Sequence, residues 1–457
     1  MATQNHSLSL SLGRRKLPTD TVSRRQFVAG SMACGLTAAT LGPRVLASES
    51  AASPAVPTVK NPAKHVIFVL MSGAPSQFET FDPKPGTPTG GPFGTIATRI
   101  PGVRFCEYLP RVAGLTDQLS VIRSMTGPSP AGSHVPDLKR TLTGHIKASR
   151  VGVERPAFGS IVAQQLGKPN ALLPGYINLS PSWHNAAFQG SGCLGARYDM
   201  LKFPGYGKLP GITTRNSGVS EVGFGARTAL RNELDRQFLA QRRSLKADQY
   251  RESFARARGL MDSTHLFDLS REPAELRDQY GPTRYGADCL TARRLIEAGV
   301  PFVLIQCYGT RCDWDWHYEA FSHLSKYMLG VFDQVTSTLI NDLRERGLWD
   351  ETLLVCMGEF GRTPKIGSNE ANGYSGRAHW GKTYSMVLGG GPIRGGHVIG
   401  ATNEHGTDIA DRPITVPDLY NTLYPALGID PHSEFIVDEQ PIPIQEEGKQ
   451  VLSELLV

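Results

Sequence analysis

The chain has 457 residues, of which 40% are hydrophobic and 20% charged, enough for one large domain or two ordinary ones and too apolar for a disordered chain. Its formal charge of +6 suggests a basic protein, but six Lys/Arg and one acid lie before residue 48. The remainder carries 42 bases against 41 acids, so charge excludes any argument for nucleic-acid binding.

Residues 1–47 are expected to be a twin-arginine signal peptide, carried by Ser23-Arg24-Arg25-Gln26-Phe27-Val28. A weakly apolar run from Val28 to Leu41 follows, then Val45-Leu46-Ala47 as a small-residue cleavage site. That run is rich in Gly, Ala, Ser and Thr and falls short of the ~20 apolar residues that span a bilayer. Ser31-Met32-Ala33 lacks the leucine expected before a lipidated cysteine at Cys34. The mature chain is therefore expected to be periplasmic or secreted, without a stable membrane anchor, its partner during export being the twin-arginine translocase. Six of the seven cysteines survive cleavage. An oxidising compartment permits Cys307 and Cys312 to pair, though spacing alone does not decide it. No CxxC pair is present, which argues against a structural zinc module.

Residues 48–62, rich in Ser, Ala and Pro, read as a linker, and residues 63–457 as a single α/β domain. His65–Met71 is a continuous apolar run suited to a central strand buried on both faces, breaking at Ser72-Gly73-Ala74-Pro75. Further candidate strands are Ser120–Arg123, Gly175–Leu179, Phe302–Gln306, Thr352–Met357 and Tyr384–Leu388. Helical patterns fall between them, at Cys289–Gly299 and Val331–Arg346. Strands alternating with helices imply a doubly wound, mostly parallel sheet with helices on both faces. A charged stretch near 224–285 reads as a helical cap, one or two long surface helices with no chemistry of their own.

The polar residues that draw attention all follow strands, where ligands bind in open α/β sheets. Ser72, Ser76, Glu79 and Asp82 follow the first. Ser133-His134 and Thr143-Gly144 lie between the second and third. Asp313, Asp315 and His317 follow the strand ending near Gln306, and Glu359 with Arg362 follows Met357, with Arg377 and His379 shortly after. If these turns converge, Asp315, His317, Glu359 and His379 can bind one or two divalent cations. Oxygen and imidazole donors suit Zn, Mn or Fe, and carboxylate-rich sets also Ca or Mg. Arg362 or Arg377 can grip an anion, and Ser133 with His134 can supply a nucleophile. Each residue also has a structural reading. Asp315 can cap a loop, His317 can bond a carbonyl, Glu359 can pair with Arg362 or Arg377, and His379 beside Trp380 can be a packed core histidine. His65, His145, His184 and His405 carry no supporting pattern. No GxGxxG opens a helix after the first strand, and Gly389-Gly390-Gly391 runs into Pro392, so a dinucleotide site is not expected.

Several blocks resemble domain-of-unknown-function family 1501, exported bacterial proteins related to the alkaline-phosphatase and sulfatase superfamily. They are Met71-Ser72-Gly73 with Pro75-Ser76-Gln77, Phe81-Asp82-Pro83-Lys84, Leu194-Gly195-Ala196-Arg197-Tyr198, Ala292-Arg293-Arg294-Leu295, Trp314-Asp315-Trp316-His317 and Glu359-Phe360-Gly361-Arg362-Thr363-Pro364. The resemblance implies a two-metal site at the strand ends, with Asp315 and His317 as one ligand pair and His379 as the last histidine. Glu359 resembles a ligand that is an Asp followed by a His in the superfamily; here Phe360 follows. Ser133 with Thr143-Gly144 faintly resembles the nucleophile helix of alkaline phosphatases. Ser72 stands where those enzymes place a metal-binding aspartate, so Glu79 or Asp82 must replace it if the ligand count is to hold, and Ala378 replaces a second usual aspartate. The resemblance thus implies a metal-dependent hydrolase of phosphate or sulfate esters, acting on an anionic ester or sulfated polysaccharide. The missing carboxylates instead favour a catalytically inactive relative serving as a binding or scaffold protein.

Overall fold

The computed structural model describes residues 57–147, 153–168, 171, 173–179, 190–205, 218–241, 245–307, 314–369, 374–437, 440–446 and 450–457. The expected leader, most of the linker, Asp313, Cys312 and His184 lie outside the described residues.

Among the described residues nine strands form the central sheet: β1 (His65–Leu70), β2 (Leu119–Thr126), β3 (Tyr176–Leu179), β4 (Leu201–Phe203), β5 (Phe302–Gln306), β6 (Thr352–Met357), β7 (Tyr384–Gly389), β8 (Val398–Ile399) and β9 (Ile414–Thr415). Their order is β8-β2-β7-β6-β1-β5-β3-β4, and β9 also pairs with β2. All pairings are parallel except those of β7, which runs antiparallel to both β6 and β2. The expected strands are all present, and the sheet is mostly parallel as their alternation with helices implied.

β1 shows why such a run becomes a central strand. Val66, Phe68 and Leu70 point into one apolar cluster, and Ile67, Val69 and Met71 into the other. Both faces are dry from Val66 on, and every position from Val66 to Met71 is apolar. Fully burying each such side chain contributes about 1.5–3 kcal/mol. The first cluster is closed by α1 (His134–Thr143), α2 (Phe158–Leu166) and α8 (Val416–Ala426). The second is closed by α6 (Arg284–Glu297) and α7 (Leu329–Glu345). Helices thus cover both faces. The two helices read from sequence are α6, which begins five residues earlier than expected, behind the Thr283 cap, and α7.

The charged stretch forms α3 (Glu221–Gln241) and α4 (Leu245–Asp262), followed by the shorter α5 (Ala274–Tyr280). Arg256 on α4 ties this insertion to the body by donating to the carbonyls of Ala196 and Arg197. Among the described residues no helix is long and apolar enough to cross a membrane. Cys106, Cys193, Cys289, Cys307 and Cys356 are free thiols. Burial pushes the Cys106 thiol up to about 12 and raises that of Cys307 as well, which disfavours the thiolate.

The antiparallel β7 decides where the site lies. The chain leaves β6 at its C-terminal end, makes a short hairpin of Gly361–Arg362 paired with His379–Trp380, and re-enters the sheet as β7 from that same edge. Leu70 is in register with both Gln306 and Met357, and Tyr384 with Met125. The C-terminal ends of β1, β2, β5 and β6 and the start of β7 therefore share one edge.

A candidate metal centre at the strand ends

Three side chains from three separate connections meet at this edge: His134 after β2, Asp315 after β5 and His379 before β7. His134 Nε2 lies 3.0 Å from His379 Nε2 and 3.2 Å from Asp315 Oδ2. His379 Nε2 lies 3.3 Å from Asp315 Oδ1. Donors bound tetrahedrally at about 2.0–2.1 Å sit roughly 3.3 Å apart. The His134–His379 separation is near that spacing, and the two Asp315 oxygens face one imidazole nitrogen each. A neutral imidazole keeps one unprotonated ring nitrogen, so His134 Nε2, His379 Nε2 and an Asp315 oxygen can all be presented to one cation. The donor set fits a divalent cation.

Each donor is held from behind. His134 is the first residue of α1, set by Ser133, whose backbone N–H donates to Asp137 at 2.7 Å. Its Nδ1 donates to Glu359 Oε1 at 2.7 Å. Burial opposes a charge on His134, but its hydrogen bonds to Asp315 and Glu359 outweigh burial and raise it to about 9. Burial likewise opposes the Asp315 charge, yet hydrogen bonds from His134, His379 and Arg362 hold its carboxyl far below the usual range. Arg362 Nη2 donates to Asp315 Oδ1 at 2.7 Å. His379 is opposite Arg362 in the hairpin. Phe360 closes one side, its ring 4.9 Å from that of His134 and 4.8 Å from that of His379.

Two glycines allow the approach. Gly73, after β1, has φ +100°, and a Cβ there would stand 2.5 Å from the Asp315 nitrogen. Its N–H donates to Glu359 Oε1 and its carbonyl accepts from Arg362 Nη2. A Cβ on Gly376 would stand 2.0 Å from the His317 carbonyl.

The other expected residues fall around this triangle. His317 Nε2 is 3.1 Å from Asp315 Oδ1 and 3.5 Å from Arg362 Nη1, beside the triangle rather than in it. Burial and the Arg362 charge lower its pKa, so it is neutral at pH 7. Glu359 is buried and stands behind His134, outside the set of three donors. Ser133 is exposed and its side chain makes no capping bond. Arg362 is buried and also donates to the carbonyls of Ala74 and Trp314. Its guanidinium is spent on the fold and on Asp315, not directed at an anion. Arg377 lies elsewhere, bound bidentately to Glu79 and to the carbonyls of Thr89, Thr363 and Pro364. That engagement occupies Glu79. Asp82 is engaged by Lys84, Arg123 and Thr402. Neither carboxylate joins the three donors, and the Ser72 hydroxyl is buried with no hydrogen-bond partner among the described residues.

Sequence reading puts His134 among the catalytic residues; its place beside Asp315 and His379 depends on the return of α1 to the sheet edge. Phe360 and the Gly73 peptide were missed as parts of the site. The one available signal was their position immediately after strands.

The molecule is an α/β protein with a cluster of His and Asp side chains, of the kind that could hold a metal ion, at the C-terminal edge of a mostly parallel sheet. The chain belongs to the family described as protein of unknown function (DUF1501), whose model matches residues 63–456. No curated protein matches it. Among solved structures it is similar to Ps i-CgsB in complex with k-i-k-neocarrahexaose, at 15% identity and a TM-score of 0.38, over 81% of this chain and 73% of that one. It is also similar to the PsFucS1 sulfatase from Pseudoalteromonas sp., at 14% identity and a TM-score of 0.35, over 87% of this chain and 72% of that one. A TAB5 alkaline phosphatase mutant with bound Mg matches at 12% identity and a TM-score of 0.35, over 81% of this chain and 99% of that one. Likenesses at these scores carry no inference about the activity of this chain.

Proposed function

We propose that the protein is an exported, metal-dependent hydrolase of phosphate or sulfate esters, with esters borne on polysaccharides among its substrates. The observation that carries this reading is the His134–Asp315–His379 triangle, in which two imidazole nitrogens and a carboxylate converge at the edge of the sheet where open α/β folds bind ligands. Export rests on the twin-arginine pattern at Arg24-Arg25.

A divalent cation there would lower the pKa of water or a hydroxyl and offset the charge of an anionic ester. The residues of the chain supply the rest. Arg362 fixes the Asp315 carboxylate. With Asp315, Glu359 and Arg362 as the fixed charges, a divalent cation leaves the site net positive, which favours an anionic ligand. The N-terminal end of α1, on which His134 sits, adds to that preference. Ser133, exposed beside His134, offers its hydroxyl as nucleophile, and neutral His317 is suited to carry a proton.

Metal analysis of the purified mature protein, with p-nitrophenyl phosphate and p-nitrophenyl sulfate as substrates, tests the proposal. The expected result is about one equivalent of cation, a higher Tm on adding it, and turnover abolished by Ser133→Ala with the metal retained. Binding of no cation by the wild type would sink it. A second reading, a catalytically silent binding protein, is favoured by one observation: Ser72 and Ala378 offer no carboxylate, and Glu79 and Asp82 are engaged elsewhere. Metal binding without turnover of either ester would select it.

A further inference from the structure

We propose that Glu359 is a positioning residue for His134 and not a ligand of the cation. This deepens the reading above and rests only on its metal-binding half.

The argument is the path of hydrogen bonds behind the triangle. Glu359 Oε1 accepts from His134 Nδ1–H at 2.7 Å and from the Gly73 N–H at 3.1 Å. A carboxylate oxygen only accepts, so His134 carries a proton on Nδ1, and Nε2, which faces His379 and Asp315, is the nitrogen left to ligate once it gives up its own proton. The Gly73 carbonyl in turn accepts from Arg362 Nη2, which also donates to Asp315 Oδ1. His134, Glu359, Gly73, Arg362 and Asp315 thereby close a ring that fixes two of the three donors from behind. Gly73 is the one shared joint, and its contact with the Asp315 backbone leaves no room for a side chain. Glu359 is buried, stands behind the imidazole, and is not one of the three donors that converge. A carboxylate that orients a ligating imidazole typically changes metal affinity by about 10–100-fold without changing the ligand set.

Co²⁺ titration of the metal-free mature protein tests this, read by the visible absorption of the bound ion and by proton NMR of exchangeable imidazole N–H signals shifted by it. The wild type should bind one Co²⁺ per chain and show a slowly exchanging N–H signal from His134. Glu359→Gln keeps an acceptor for Nδ1–H. It should keep the stoichiometry, the absorption band and the N–H signal, with affinity lowered about 10–100-fold. Glu359→Ala should keep the band and lose the N–H signal to solvent exchange. Asp315→Asn, a change at a ligand, should alter the band. The proposal is overturned if Glu359→Gln alters the band as Asp315→Asn does, or if the wild type shows no slowly exchanging His134 N–H even where a variant fails to fold. A wild type that binds Co²⁺ but cleaves no ester would end the hydrolase reading and leave this inference standing. A wild type that binds no Co²⁺ would end both.

Discussion

Two arginine–carboxylate pairs sit close together in the fold and behave differently. Arg377 and Glu79 form a closed pair. The guanidinium uses its donors on both Glu79 oxygens and three carbonyls, stacks 4.3 Å over Phe78, and the carboxylate side chain is 1% exposed. Arg362 and Asp315 form an open pair. That arginine is as buried as the first, but the Asp315 side chain is 17% exposed and has three imidazoles around it. A salt bridge that only holds the fold has no use for three imidazoles on one carboxylate. The comparison shows that the open side of a pair, not the pair itself, marks the site.

The sharpest break of the comparison is Arg377→Ala. It leaves the Glu79 charge buried without a partner and should cost about 3–5 kcal/mol in urea unfolding. The folded fraction should bind metal with the wild-type stoichiometry. A loss of metal binding without loss of stability would make the closed pair part of the site.

Asp315→Ala is expected to do the reverse. Removing one of three donors should weaken metal affinity by more than about 100-fold, since even orienting residues change it by 10–100-fold. Its effect on the stability of the metal-free protein should be smaller than that of Arg377→Ala. Competition with a chelator measures the first quantity and urea unfolding the second.

A pH series probes the open pair alone. His134 titrates near 9, above the ordinary histidine value of 6.5. In metal-free protein its charged form therefore contributes stability that is complete below pH 6.5 and is lost as pH rises through 9. Metal binding runs the other way. The ring must give up that proton to ligate, so affinity should rise about tenfold per pH unit up to about 9. Melting curves with and without chelator, from pH 6 to 9, should diverge as pH rises, the metal-free one falling and the metal-bound one staying near level. Parallel slopes would show that no cation competes for the His134 proton.

The smallest effect is expected at His317. It touches Asp315 but lies outside the triangle, so His317→Gln should change metal affinity by less than about tenfold, below the range of a ligand loss. A larger drop would enlarge the open site to four donors.

Much of this was legible in the sequence. Continuous apolar runs such as Val66–Met71 and Leu353–Met357 announce buried strands, because only a strand dry on both faces tolerates such a run. A polar cluster after each strand then marks the ligand-binding edge, and Asp315, Glu359 and His379 were placed there from that rule alone. Less legible was the sense of β7, since a buried run of six residues reads the same in either direction. Its antiparallel course brings His379 back to the edge where Glu359 leaves the sheet.

The division follows from the range of the forces involved. Strand and helix identity depends on the periodicity of neighbouring residues, and the chain itself carries that. The choice of which carboxylate is closed off and which stays open depends on partners far apart in the chain: Arg377 meets Glu79 across 298 positions and His134 meets Glu359 across 225. Those pairings exist only once the sheet has assembled, because a buried charge takes whatever opposite charge or donor the packed fold brings within reach.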